Sequence, residues 1–177
     1  TGSLDFNLMQ ELFGIMRESR HEKVSRGLAI ALGMMCYARE EEADTFIAQL
    51  EIEKDWYGRF SACVALSMAY VGTGNYKAVE KLLQIAVKDV KDDVRRMASI
   101  ALGFVTYGDL PGVKRIAGLL LESYNPHVRF GAAMALGIAA AGSGDSSIIS
   151  MILRLKEDKE EFVRQGVYIS MAMVLMQ

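Results

Sequence analysis

Residues 125–145 read NPHVRFGAAMALGIAAAGSGD, and this stretch decides the fold. Asn125 is suited to cap a helix and Pro126 to fill its first position, so a helix is predicted to begin here. The GSG segment at 142–144 is predicted to end the helical segment, because glycine tolerates the positive φ of a chain reversal. The residues between are small and apolar on nearly every face. Such a helix is expected to be buried on both sides, with neighbouring backbones in close approach.

The same pattern recurs at regular intervals along the chain. Positions 24, 58, 94, 128 and 163 serve as anchors, separated by 34, 36, 34 and 35 residues, and small residues recur 3, 7 and 9 positions after them. The predicted core of the repeat consists of Gly27, Ala31, Gly33, Ala65, Ala101, Gly103, Gly131, Ala135, Gly137 and Gly166. Five copies at one period predict a repeat array, in which each unit packs against its neighbours.

Shorter amphipathic helices alternate with these buried ones. Residues 79–86, for example, place apolar side chains at i, i+3, i+4 and i+7, with lysine and glutamate opposite. We predict ten helices, alternately buried on both sides (A helices) and on one side (B helices), and no strand. The expected fold is all-α, an α-solenoid of about five helix pairs of ~35 residues each. Residues 4–177 are expected to form a single domain, and residues 1–3, TGS, to be a cloning remnant.

The amino-acid composition argues against two classes of binding partner. The chain is 51% apolar and 24% charged, which is typical of a soluble protein with a large core. A net charge of −2 offers no electrostatic attraction to nucleic acid or to an anionic membrane surface. No apolar run reaches the roughly 20 residues that span a bilayer. We therefore expect neither nucleic acid nor membrane among the partners.

No catalytic, cofactor-binding or metal-binding motif is complete. His21-Glu22 begins like the zinc motif HExxH, but Ser25 stands where the second histidine is required. The glycine-rich turns at 72–75 and 142–145 do not continue into GK[ST], so we interpret them as connections between helices. Cys36 and Cys63 are expected to be buried, reduced thiols.

Four arginines share one place in the repeat, directly after the anchor. They are Arg59, Arg95, Arg129 and Arg164. Two interpretations stay open: they face the carboxylates of a partner protein, or they meet aspartates and glutamates near adjacent helix starts of the same chain.

Several segments resemble a known repeat family. NPHVRFGAAMALG at 125–137, DDVRR at 92–96 and VRQG at 163–166 are similar to proteasome/cyclosome (PC) repeats, as are GLA at 27–29 and EEAD at 41–44. These HEAT-like repeats occur in the two large non-ATPase scaffold subunits of the proteasome regulatory particle and in the largest subunit of the anaphase-promoting complex. The match is colinear from about residue 21 to the end, and it is most similar to the larger proteasomal subunit. Tyr57-Gly58, Met97 and residues 1–4 depart from the pattern.

The resemblance implies a non-catalytic scaffold that organises lid and ubiquitin-processing subunits for ubiquitin-dependent protein degradation. It implies an arc of a toroid, other regulatory-particle subunits as partners, no cofactor, and a cytoplasmic and nuclear location. A ubiquitin receptor would bind through regions outside this chain. The alternatives are a free-standing helical-repeat module that binds proteins, and the scaffold of the anaphase-promoting complex.

The last helix carries more apolar residues than the chain can cover. Its apolar residues are Val167, Ile169, Met171, Met173, Val174 and Met176. Because a large exposed apolar surface usually marks an interface, we expect the isolated chain to form a two-fold homodimer through this helix as a product of truncation.

Overall fold

The computed structural model describes residues 2–19 and 21–176, and every regular element in these residues is helical. The α-helices are α1 (Phe6–Glu18), α2 (Glu22–Met35), α3 (Asp44–Glu51), α4 (Trp56–Ala69), α5 (Tyr76–Lys88), α6 (Asp92–Val105), α7 (Leu110–Leu120), α8 (Pro126–Ala139), α9 (Ser146–Leu153) and α10 (Glu161–Leu175). A 3₁₀ turn, Glu40–Ala43, precedes α3. The all-α prediction and the ten predicted helices are confirmed over the described residues.

The helices group into two compact units, Thr1–Val71 and Gly72–Gln177. In the first unit α1 packs on α2, α2 on α4, and α3 on α4. In the second unit α6 packs on α8 and α8 on α10, while α5, α7 and α9 pack on α6, α8 and α10. The even-numbered helices are thus the A helices, and the odd-numbered helices are the B helices. This pairing of neighbours is that of an α-solenoid; the single domain and the arc of a toroid stay predictions.

Helix α8 is largely buried, because its apolar residues surround the axis. Helix α8 has no fully exposed residue, as its small-residue sequence predicts. A leucine eight positions after the anchor is almost completely buried in four A helices: Leu32, Leu66, Leu102 and Leu136. Helix α5 shows the opposite, one-sided pattern, with Ala78, Leu82 and Ala86 buried.

Two turns after A helices have the same geometry. Gly72 and Gly74 have φ of 70° and 62°, and Gly142 and Gly144 have φ of 71° and 61°. The residue that follows each turn, Asn75 or Asp145, accepts hydrogen bonds from backbone N–H groups in the first turn of α5 or α9. The glycines are required here because left-handed backbone is costly for other residues.

Residues 2–5 form a third turn of this kind. Gly2 and Leu4 have φ of 65° and 47°, and Asp5 caps α1 through the N–H groups of Asn7 and Leu8. The interpretation of residues 1–3 as a cloning remnant does not account for this turn. Thr1 lies outside the described residues.

Candidate protein-interaction surfaces

Glycines of the repeat core lie where two A helices approach most closely. A Cβ atom on Gly103 would lie 2.6 Å from the Cα atom of Ala135, and one on Gly137 would lie 2.7 Å from the Cα atom of Ser170. Because the neighbouring atoms belong to the backbone, a side chain cannot be accommodated by a rotamer change. Gly33, Gly131 and Gly166 have similarly close neighbours on the adjacent A helix, and Ala65, Ala101 and Ala135 are buried.

Gly27 differs from the other glycines of the predicted core. It is exposed, and a Cβ atom placed on it would meet nothing within 4 Å. Ala31, one turn further along α2, is only half-buried. The sequence places these residues correctly in the repeat, but they line a helix face that no other helix of the described residues covers.

The four arginines that follow the anchors bind carbonyl groups of their own chain. Arg59 donates to the carbonyl of Lys54 at 3.1 Å, Arg129 to that of Ser123 at 2.8 Å and Arg164 to that of Asp158 at 2.6 Å, while Arg95 donates to the carbonyl of Asp89. Each of these carbonyls lies in the loop between a B helix and the following A helix. The guanidinium groups therefore close these loops onto the A helices, and a partner-facing role stays a prediction.

Arg129 also reaches the next repeat. Its Nε and Nη2 atoms donate to Asp158 at 2.6 and 2.8 Å, in the bidentate geometry that suits a guanidinium and a carboxylate. The side chain of Asp158 is only 7% exposed. These hydrogen bonds, which Arg129 donates and Asp158 accepts, lower the pKa of Asp158 and raise the pKa of Arg129. This ion pair links the loops before α8 and α10.

A second polar cluster joins the N-terminal ends of α6, α8 and α10. The ring of His127 stacks on Phe162 at 5.0 Å, and Arg96 donates from Nε to Nδ1 of His127 at 3.2 Å. The guanidinium of Arg96 also lies 5.3 Å from the ring centroids of Phe130 and Phe162. Burial and the charge of Arg96 lower the pKa of His127. His127 therefore packs between repeats, a role that its position in the first turn of α8 did not reveal.

The cysteines and potential metal ligands among the described residues do not form a reactive or metal-binding site. Burial raises the pKa of the Cys36 thiol to about 11, so it stays protonated and unreactive at neutral pH. Both described cysteines, Cys36 and Cys63, are buried thiols. No cluster of potential metal ligands occurs among the described residues. Nor does any described helix combine the length and apolarity needed to cross a membrane.

The glycine N–H groups of the glycine-rich turns are not available to a phosphate group. The N–H groups of Gly72 and Gly74 donate to the carbonyls of Phe104 and Val105, each at 2.9 Å. Those of Gly142 and Gly144 donate to Met173 and Val174 at 2.9 and 3.0 Å. These bonds satisfy carbonyls at the C-terminal end of the next A helix, which would otherwise lack partners.

Two A-helix faces are exposed. On α2 the exposed residues include Val24 and Met34, each 47% exposed. On α10 and its C-cap they include Tyr168 and Met176, each 60% exposed. The predicted surplus of apolar surface on the last helix is only partly present, because Val167 and Val174 are fully buried.

Comparison with known proteins gives consistent results. A family model described as HEAT repeats matches residues 79–172, which is more than half of the chain. The chain is 51% identical over 167 residues to 26S proteasome non-ATPase regulatory subunit 1 homolog B of Arabidopsis thaliana, covering 94% of this chain and 17% of that protein. It is 43% identical over 176 residues to 26S proteasome regulatory subunit rpn2 of Schizosaccharomyces pombe, covering 99% of this chain and 18% of that protein. The chain thus spans about one sixth of the length of these relatives.

A solved structure shares the fold. A chain of the complex of CpcE and CpcF of phycocyanin lyase from Nostoc superposes with a TM-score of 0.66 at 16% sequence identity, covering 94% of this chain and 99% of that chain. At this identity the likeness concerns the helical-repeat fold alone.

Proposed function

This chain belongs to the family of HEAT-repeat proteins, and from that premise we propose that it is part of a non-catalytic scaffold of the proteasome regulatory particle. The resemblance to the larger non-ATPase scaffold subunit is confirmed by relatives that carry this subunit's name. The observation that carries the proposal is the length of the alignment with the fission yeast subunit, which reaches 99% of this chain.

The internal chemistry supports a scaffold that has no enzymatic activity. Sequence features that could be taken for functional sites have structural roles. The turn glycines cap helix ends, Arg129 joins two loops, and His127 packs between repeats. We infer that its partners are other subunits of the regulatory particle. A ubiquitin receptor of the particle would bind regions outside this chain. The location we propose is cytoplasmic and nuclear, where proteasomes act.

A segment exchange tests the proposal. The matching segment of the S. pombe subunit is replaced by this chain, and the tagged protein is purified from cells in which it is the sole copy. We expect stoichiometric lid and base subunits and viable cells. A matched chimaera carrying Gly137→Leu should lose both, because the added side chain separates α8 from α10. A stable, well-expressed chimaera that is absent from the particle would contradict the proposed scaffold function.

A further inference from the structure

The side chain of Arg96 links three successive A helices at their N-terminal ends. It belongs to α6, and its guanidinium lies 5.3 Å from the ring centroids of Phe130 on α8 and Phe162 on α10. The imidazole of His127 stacks on Phe162 at 5.0 Å and accepts a hydrogen bond from Arg96. We name these four residues the Arg96 clamp. Because α6 and α10 each pack on α8, the clamp joins two helices that are not neighbours in the A layer.

The hydrogen bond between Arg96 and His127 requires a neutral imidazole. A guanidinium group carries donors only, so Nδ1 of His127 is the acceptor and has no proton. The Nε atom of Arg96 lies 3.2 Å from this nitrogen. The proton of the neutral ring is therefore on Nε2, which lies 3.8 Å from Oδ2 of Asp92. The contact with Arg96 thus fixes one tautomer of the ring.

Protonation of His127 removes the acceptor of this hydrogen bond. A new N–H group on Nδ1 then points at the guanidinium, and two positive charges lie within hydrogen-bonding distance of each other. The charged groups that face the ring are Asp92, Asp93 and Arg96 on α6 and Glu160 at the N-cap of α10. The three carboxylates attract the imidazolium, so Arg96 is the group of this set that protonation repels.

The imidazole itself can stay where it is when it becomes charged. An imidazolium stacked on Phe162 gains the attraction between a cation and an aromatic face that the guanidinium provides while the ring is neutral. The backbone of His127 is held independently, since its N–H donates to Oδ1 of Asn125 at 2.9 Å. The side chain of Arg96 is long and only half-buried. Arg96 is therefore the part of the clamp that can move.

We propose that the Arg96 clamp is a pH-sensitive link between repeats: protonation of His127 releases the guanidinium of Arg96 and disconnects α6 from α10, while both helices stay packed on α8. Burial and the charge of Arg96 lower the pKa of His127 in the folded chain. The link is therefore lost only below the ordinary histidine pKa of about 6.5.

An equivalent cluster in the first unit has a tyrosine in place of the histidine. Arg26 holds the repeat position of Arg96, two residues after the anchor, and its guanidinium lies 4.9 and 5.6 Å from the ring centroids of Trp56 and Phe60. Tyr57 stands one residue before its anchor, as His127 does. Because a tyrosine ring has no basic nitrogen, the contacts of Arg26 should not depend on a ring protonation. The chain thus contains a control for the clamp.

Nuclear magnetic resonance of the 19.5 kDa chain tests the proposal. At pH 8 we expect the proton of His127 on Nε2, and cross-peaks between the side chain of Arg96 and the ring of Phe162. On titration to pH 5 these cross-peaks should disappear with the midpoint of the His127 titration. Those between His127 and Phe162, and those between Arg26 and Trp56, should persist. A proton on Nδ1 at pH 8, or Arg96 cross-peaks that survive the titration, would overturn the proposal.

Two variants separate the imidazole from other groups that titrate. His127→Phe keeps an aromatic ring that cannot be protonated, so the contacts of Arg96 should persist to pH 5. Arg96→Met removes the charge that opposes protonation, so the midpoint of the His127 titration should rise. The matched exchange in the first unit, Arg26→Met, should leave that midpoint unchanged. The proposal fails if the Arg96 contacts of His127→Phe are lost at the wild-type midpoint, or if Arg96→Met titrates like the wild type.

Discussion

At the scale of single residues, charged groups hold successive repeats together. Arg129 binds carbonyls of the loop before its own helix and the carboxylate of Asp158 in the next loop, so one side chain connects two units. Because Asp158 is almost fully covered, the pair is better protected from solvent than the ion pairs of the surface. Removing one partner leaves a buried charge without compensation.

Asp158→Asn should lower the free energy of unfolding at pH 7 by about 1.5–3 kcal/mol, the order expected for a hydrogen bond to a charged group. The pKa of Asp158 is lower in the folded state than in the unfolded state. Its stabilisation is therefore complete above the unfolded pKa of about 4 and is lost as the pH falls through the folded pKa. Urea denaturation at pH 7 and at pH 3 should show the difference between wild type and variant shrinking at acid pH. Glu157→Gln, an exposed neighbour, serves as the control, and an equal loss of stability in the two variants would refute the assignment.

His127 also makes the stability of the chain depend on pH, in a range above the acid range in which Asp158 acts. Its pKa is lowered in the folded state by burial and by Arg96, against the attraction of Asp92, Asp93 and Glu160. Below the unfolded pKa of about 6.5, the unfolded state gains a proton that the folded state resists, so stability falls with the pH. The denaturation midpoint should drop between pH 7.5 and pH 5.5, and His127→Gln should reduce that drop. An unchanged drop in His127→Gln would show that other groups cause it.

At the scale of helices, the A layer depends on close approach of backbones. Gly137→Ala should destabilise the chain by about 1–3 kcal/mol, because the added methyl group would overlap with the backbone of Ser170. Gly14→Ala on α1 is the matched control: nothing lies within 4 Å of the added Cβ atom. That exchange should stabilise the chain by about 0.5–1 kcal/mol through helix propensity. Thermal unfolding followed by circular dichroism measures both, and shifts of the same sign would mean that α8 and α10 are not in contact at Gly137.

The turn at residues 2–5 offers another test at this scale. Leu4 has a φ of 47°, where the equivalent turns have glycine. Left-handed backbone costs a non-glycine residue about 1–2 kcal/mol, so Leu4→Gly should be more stable than Leu4→Ala by about 1 kcal/mol. Comparing two variants that both lose the leucine side chain isolates the backbone effect in chemical denaturation. If the two midpoints coincide, the turn does not form in solution.

At the scale of the whole molecule, the glycine-rich turns among the described residues connect helices, and their glycine N–H groups are already hydrogen-bonded. We expect no change in melting temperature on addition of magnesium and ATP. The reason is that the N–H groups of the glycine-rich turns already bind helix carbonyls. Differential scanning fluorimetry, with a P-loop ATPase as positive control, makes the measurement. A saturable shift at one nucleotide per chain would contradict this prediction and would show that the chain has a nucleotide site outside the glycine-rich turns.

The repeat period, the alternation of A and B helices and the position of each turn follow from the sequence by itself. Small residues, cap residues and glycines act over one helix or one turn, so their spacing alone predicts these elements. Gly103, Gly131 and Gly137 of the predicted core lie where A helices approach closely, because only small side chains allow backbones to touch.

Only the tertiary structure decided which of these residues are covered. Gly27 and Gly131 hold the same position in the repeat, yet one is exposed and the other meets the backbone of Arg96. The roles of Arg129 and His127 depend on Asp158 and Phe162, which lie about 30 positions away in the sequence and approach only when α8 packs against its neighbour. In a repeat array, the local sequence pattern indicates which face of a helix can be buried. The face is actually buried only where an adjacent helix packs against it.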